Sequence, residues 1–194
     1  MKTKKCQVLV VGAGPGGYVA AIRSAQLGLS TIIVEGERAG GTCLIRGCIP
    51  SKALIHAAHT FHNLEKHAKK DGHMGISIPG PAELVMENLV GWKEGIVDRL
   101  NKGVEALLKN AGAELVAGWA VFQDAKTVKV GEGKDATIIQ ADHVIMAQGS
   151  VPIELPFMPF SDNVLSSREA LSLTTLPEHV VVVGGGYIGL ELGI

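Results

Sequence analysis

The sequence predicts an α/β fold organised around a doubly wound parallel sheet, and three observations predict it. A short apolar strand, Gln7 to Val11, runs into Gly12-Ala13-Gly14-Pro15-Gly16-Gly17, and an Ala-rich helical stretch, Tyr18 to Leu27, follows. A second strand, β-branched from Thr31 to Val34, then ends on an acid, Glu35. Far along the chain the pattern begins again: a strand from His179 to Val183, glycines at 184, 185, 186 and 189, and the start of a helix. Strand, glycine turn, helix and strand make the opening unit of a Rossmann-like sheet.

The remaining elements follow in order. Gly28 is placed to end the first helix, since a left-handed residue suits that position. Pro50 stands near the start of a helix through the fifties and sixties, where its missing N–H costs little. His73 to Pro81 reads as a glycine- and proline-punctuated loop. Ala82 to Asn110 is helical, with Trp92, Ile96, Leu100, Val104 and Leu107 at helical spacing, and Gly112 ends it. Short strands are expected at Glu114–Val116, Ala120–Gln123, Thr127–Val130 and Thr137–Gln140, giving a small antiparallel β insert over about 113–140. Asp142 to Ala147 reads as a further buried strand, Val151 to Pro159 as a proline-rich connector, and Ser167 to Leu171 as a helical turn. The expected organisation is a dinucleotide domain over 1–150, a connector over 151–176, and the truncated start of a second Rossmann-like domain over 177–194. A strand and half a helix cannot bury their own apolar faces, so the chain reads as part of a longer protein.

Composition narrows the function classes. Hydrophobic residues make up 46% and charged residues 19%, which supplies an ample core. The net charge of -1, without a run of one sign, gives no electrostatic footprint for nucleic acid or an anionic membrane. Trp92 and Trp119 read as packing residues, because no basic flanks make them a nucleic-acid stacking platform. The apolar run after the basic start stops at Gly12, too short for a signal-peptide core, and nothing approaches a membrane span. The expected location is cytoplasmic.

The first glycine turn has the spacing that dinucleotide binding needs. Gly12 makes the tight turn, Gly14 lets backbone approach a pyrophosphate, and Gly17 lets helix and strand pack closely. The pyrophosphate sits at the helix N-terminus, where free N–H groups and the dipole favour negative charge. Glu35 lies about 20 residues on and can accept hydrogen bonds from a ribose. Two such turns imply two dinucleotides, one flavin and one nicotinamide. The choice between NAD and NADP depends on a residue beyond Ile194.

Cys43 and Cys48, five positions apart, lie in Gly40-Gly41-Thr42-Cys43-Leu44-Ile45-Arg46-Gly47-Cys48-Ile49-Pro50-Ser51-Lys52. A flavin can exchange two electrons with a disulfide, and a disulfide can pass them on by thiol exchange. Cys48, at a helix start where the dipole promotes thiolate, is assigned to the flavin side; Cys43, in the preceding loop, is assigned to substrate. Lys52, one helical turn after Cys48, would set positive charge beside the flavin. A zinc reading of the cysteines lacks the C-x-x-C spacing and further ligands. His56, His59 and His62 have no carboxylate or cysteine to complete a metal set, and no metal is expected. Cys6 reads as a small buried hydrophobe.

At these residues the chain resembles the flavin disulfide reductases. The matching stretches are Val10 to Ala21, Gly40 to Lys52, and Val183 to Gly193, and the likeness runs through the whole chain. The ending Ile49-Pro50-Ser51-Lys52 is closer to members that oxidise dihydrolipoamide than to those that reduce glutathione. The resemblance implies FAD at Gly12, Gly14, Gly17, Glu35, Gly41, Thr42 and Lys52, with backbone contacts near Ala120 and Gly149. It implies Cys43 and Cys48 as the redox pair, and NAD at Gly184, Gly186 and Gly189. It further implies a homodimer, and dihydrolipoamide carried on the lipoyl domain of an acyltransferase in a 2-oxo acid dehydrogenase complex. The family's catalytic His-Glu pair, which acts across the dimer, is absent from this chain, so these residues alone are expected not to turn over. Ile45 and Arg46 between the cysteines, and Gln148 before Gly149, depart from the family pattern. A mercuric reductase-like member, or a non-catalytic FAD-binding fragment, are the competing readings.

Overall fold

A computed structural model describes residues 2–69 and 71–194. The chain divides into two compact units, Met1–Ile45 with Asp98–Pro152, and Arg46–Val97 with Ile153–Ile194.

The first unit holds the sheet. Strands β1 (Lys2–Val11), β2 (Thr31–Glu35), β3 (Glu114–Ala117), β4 (Ala120–Phe122), β5 (Thr127–Val130) and β6 (Thr137–Met146) form six strands in the order β3-β2-β1-β6-β5-β4. β3, β2, β1 and β6 run parallel, while β5 is antiparallel to β6 and β4 to β5. Val8 to Val11 and Thr31 to Val34 are buried throughout, as expected of central parallel strands covered on both faces. Cys6, Leu9, Val11, Ile32, Val34, Val128 and Ile139 share one core cluster. Helix α1 (Pro15–Gln26) packs on β1 and β2, burying Gly17 and Ala21.

The α/β class with a mostly parallel sheet is what the sequence predicts, but the antiparallel part is assembled differently. β3 is no part of an insert: it pairs parallel with β2, Ile32 opposite Glu114. The two strands expected at Thr137–Gln140 and Asp142–Ala147 are one, β6, paired with β1 from Lys2↔Thr137 to Val11↔Met146. The antiparallel portion is therefore β4, β5 and the first half of β6, hydrogen-bonded into the main sheet. Its second half is less buried than a central strand should be, with Met146 54% exposed. The cause is pairing: β5 meets β6 only over Thr137 to Gln140, so beyond that point one side of β6 is an edge among the described strands.

Helices α2 (Gly41–Arg46), α3 (Cys48–His67), α4 (Met86–Ala111), α5 (Ser167–Ala170) and α6 (Tyr187–Gly193) complete the chain. α4 begins at Met86 rather than Ala82 and ends at Gly112, whose φ of 87° suits glycine. Its buried face carries Lys93, Val97, Asn101, Val104 and Leu108, whereas the expected Trp92, Leu100 and Leu107 are exposed. The helix is rotated so that two polar residues point inward, and each has partners. Lys93 Nζ donates to the Leu171 carbonyl at 2.8 Å and pairs with Glu94 Oε1 at 2.7 Å. α5 starts with a capping box of Ser166 and Glu169. The Ser166 hydroxyl holds the Glu169 carboxyl below its usual range.

Val180 to Val183 do not form the predicted strand; the segment is outside any ladder among the described residues. A strand exists only through a hydrogen-bonded neighbour, and apolar β-branched sequence alone does not supply one. No helix of the described residues is long and apolar enough to cross a membrane.

Candidate functional site

In the first unit, the glycine turn after β1 is built as its spacing predicts, each glycine for a different reason. Gly12 has φ 96°, and its N–H donates to the Val34 carbonyl at 2.8 Å. A Cβ there would overlap the Ala147 carbonyl oxygen. A Cβ on Gly17 would overlap the Gly12 carbonyl oxygen and sit 3.2 Å from Ala147 Cβ, so α1 and the sheet can approach only through glycine. Gly14 differs: it caps α1 with φ -70° and ψ -177°, and a Cβ would meet nothing nearer than Gly41 Cα at 3.9 Å. The space beside Gly14 is open. No side chain caps α1 and no acid lies in its first turn. The orphan N–H groups and the positive dipole end thus face a gap of the kind a pyrophosphate fills.

Glu35 closes the turn from the next strand. Ala13 N–H donates to its Oε2 at 2.7 Å and Glu37 N–H to its Oε1 at 2.9 Å. An ionised carboxylate has about four acceptor sites, so both oxygens retain capacity for ribose hydroxyls. The segment after Glu35 returns to the same turn. Gly40 N–H donates to the Ala13 carbonyl at 2.7 Å, and a Cβ on Gly41 (φ 58°) would lie 2.5 Å from Gly14 Cα. Asn101, buried on α4, fixes this segment: its Nδ2 donates to the Ala39 carbonyl at 2.6 Å. Arg38 Nη2 donates to Asp98 Oδ1 at 2.6 Å and reaches Asn101 Oδ1 at 3.4 Å. Sequence pattern gave no sign of Asn101 or Arg38, because a buried amide inside a helical stripe reads as a polar interruption.

Gly41 opens α2, and Thr42 and Cys43 lie on it, Thr42 exposed and Cys43 half-buried. Cys43 is therefore helical and not in a loop as expected; burial of Leu44 beside Gly40 anchors that short helix. Ala120 opens β4 half-buried, two residues after Gly118, whose N–H donates to the Glu35 carbonyl at 2.8 Å. Gly149 has φ 76° with open space where a Cβ would stand.

Within the second unit, Cys48 is exposed and is the first residue of α3, after Gly47. No side chain caps that end, and Ser51 Oγ donates to the Cys48 carbonyl at 3.2 Å. Lys52 Nζ donates to Glu191 Oε1 on α6 at 2.8 Å. Both side chains are over a third exposed, and such pairs contribute about 0–1 kcal/mol. Glu191 was not among the residues singled out, since a pairing across 139 positions leaves no local signal. The second glycine turn repeats the first. Gly184 has φ 107°, a Cβ on Gly189 would overlap the Gly184 carbonyl oxygen, and Gly186 caps α6 at φ -72° and ψ 169° with open space beside it.

Cys6 behaves as a core residue. It is 7% exposed, and burial raises its thiol pKa. Because the thiolate is the reactive form, we expect Cys6 to resist iodoacetamide in the folded, mildly reduced protein while exposed Cys48 is alkylated. Peptide mapping before and after denaturation checks this; native labelling of Cys6 matching that of Cys48 would be incompatible with its burial. Among the described residues no three His, Cys, Asp or Glu side chains gather to hold a metal ion.

Residues 6–194 match the family described as Pyridine nucleotide-disulphide oxidoreductase. The chain is 50% identical to the dihydrolipoyl dehydrogenase of Pseudomonas aeruginosa over 190 residues, 97% of this chain and 40% of that protein. It is 49% identical to dihydrolipoyl dehydrogenase 2 of Haloarcula marismortui, covering 98% of this chain and 40% of that one. The chain thus spans about two fifths of the length of these relatives. Among solved structures, the HOCl-induced flavoprotein disulfide reductase RclA of Escherichia coli superposes with a TM-score of 0.77 at 25% identity, over 95% of this chain and 38% of that one. With a matching family over nearly its whole length, half-identical relatives and the same fold, the chain belongs to the pyridine nucleotide-disulphide oxidoreductases.

Proposed function

We propose that this chain carries the FAD-binding and dithiol part of a dihydrolipoyl dehydrogenase. The observation that supports it most is the approach of Gly41 to Gly14: the helix bearing Cys43 starts against the phosphate turn. Gly12, Gly14, Gly17, Gly41 and Thr42 would hold the pyrophosphate end of FAD and Glu35 its ribose, with Ala120 and Gly149 contributing backbone. Lys52, steadied by Glu191, would supply positive charge, and Gly184, Gly186 and Gly189 would hold NAD. In this reading residues 1–150 are the FAD domain, 151–176 the connector and 177–194 the beginning of the NAD domain.

The chain's own chemistry is disulfide exchange. A thiolate of dihydrolipoamide attacks Cys43 Sγ of a Cys43–Cys48 disulfide, a mixed disulfide forms, and Cys48 leaves as thiolate. The second substrate thiol then displaces Cys43, so lipoamide departs and two cysteine thiols remain. Cys48 stands at the start of α3, where no side chain caps the helix, and is exposed. FAD, when bound, supplies the two-electron chemistry that links this dithiol to NAD. The substrate would be presented on the lipoyl domain of an acyltransferase component, to a cytoplasmic homodimer. In the full-length protein, we expect bound flavin and NAD reduction that depends on dihydrolipoamide. A protein that reduced mercuric ion but left dihydrolipoamide untouched would refute the substrate assignment.

A further inference from the structure

Trp119 is the observation that neither the fold nor the dithiol absorbs. It is 70% exposed, although sequence reading places it in the packing. Its position is nonetheless fixed. Gly118, at φ 135°, is latched to Glu35 through its N–H, and a Cβ on Gly118 would lie 2.6 Å from Val130 Cγ1. The indole lies against Gly36, the residue after the ribose acceptor. A Cβ built on Gly36 would lie 2.6 Å from Cδ2 and Cε2 of Trp119 and 2.9 Å from Cε3. These atoms belong to the six-membered ring, so that ring rests on a backbone kept bare by glycine.

We propose that the Trp119 indole is the stacking wall for the adenine of the bound dinucleotide, which makes it a specificity residue for the adenosine half. The proposal rests on the FAD reading of the first glycine turn. The geometry for it is local. Parallel sheets of this type bind ligands beyond the carboxyl ends of their strands, and Glu35 and Ala117 are the ends of β2 and β3. A ribose held by Glu35 carries its base outward past Gly36. There the Trp119 side chain is the large exposed aromatic surface, and an exposed indole of this size gains most from a flat apolar partner. Every base has a π-face, so the wall selects for a nucleobase and discriminates against a flavin mononucleotide, which lacks one.

The test uses the full-length protein, stripped of flavin and titrated with FAD and with ADP. The tryptophan emission that disappears in Trp119→Phe should be quenched by both ligands. Trp119→Ala should weaken FAD and ADP by about 5- to 150-fold, the range that loss of one base–aromatic stack gives. Trp119→Phe should recover most of that affinity, and thermal unfolding of the flavin-free variants should match the parent. The proposal is overturned if FAD binds without quenching this emission, if Trp119→Ala binds FAD as tightly as the parent, or if Phe is no better than Ala. Failure of the parent protein to bind FAD at all would overturn the FAD reading as well, which separates the two.

Discussion

Gly14→Val is expected to leave the protein folded and strip it of flavin, whereas Gly17→Val should unfold the first unit. The two glycines lie on one turn three residues apart, yet the chain treats them oppositely. At Gly14 the backbone sits at φ -70°, open to any L-residue, and a Cβ meets only Gly41 Cα at 3.9 Å. Replacing a cap glycine by a β-branched residue costs about 1 kcal/mol. For a chain of this size that lowers Tm by roughly 2–4 °C. In the proposed FAD reading, the space a valine fills there is the space the pyrophosphate would take. At Gly17 the added carbon overlaps the Gly12 carbonyl oxygen, and backbone cannot yield as a side-chain tip can. Relief would require α1 to lift from β1 and β2, exposing core that includes Ala21. We expect a loss above about 4 kcal/mol, at the extreme of single substitutions. Flavin absorbance per protein and thermal unfolding of the flavin-free form read both variants. A Gly14→Val protein with full flavin content would mean the turn is only structural.

That contrast was legible in the sequence, because glycine spacing encodes backbone conformation directly. Gly12 and Gly17 must be small whatever surrounds them, and the same spacing at Gly184 and Gly189 forms the same turn. The continuous runs Val8 to Val11 and Ile32 to Val34 likewise announced central strands. What stayed hidden depended on partners distant along the chain. The inward face of α4 could not be read from apolar spacing, because the partners that satisfy Lys93 and Asn101 there include carbonyls distant in sequence, at Leu171 and Ala39. Glu191 had no visible role until Lys52 reached it. The merging of two expected strands into β6 was masked by polar Gln140 and Asp142, which are exposed on either side of buried Ala141 while the pairing with β1 continues past them. Val180 to Val183 show the converse: β propensity without a neighbour makes no sheet.

Cys43→Ser and Cys48→Ser, made in the full-length protein, are each expected to abolish dihydrolipoamide oxidation while leaving FAD bound. Serine matches cysteine in shape, so α2 and the start of α3 should form unchanged. Neither cysteine is needed to build the glycine turn, where the contacts come from Gly12, Gly14, Gly41 and the Glu35 carboxylate. What disappears is the exchange reaction, because a hydroxyl oxygen forms no disulfide and cannot serve as the leaving thiolate. With either sulfur gone there is no disulfide for the substrate to attack, and both variants should lose activity by on the order of 10³-fold or more, as when a covalent nucleophile is removed. Because the sulfurs act as a unit, the double variant should be no worse than either single one. Cys6→Ser provides the control. It places a hydroxyl in the β1 core, where it costs stability, but touches no exchanging sulfur. Its activity per folded molecule should stay near that of the parent. The decisive measurement is turnover per bound flavin: more than a few per cent of parental activity in Cys43→Ser or Cys48→Ser would sink the assignment of this pair.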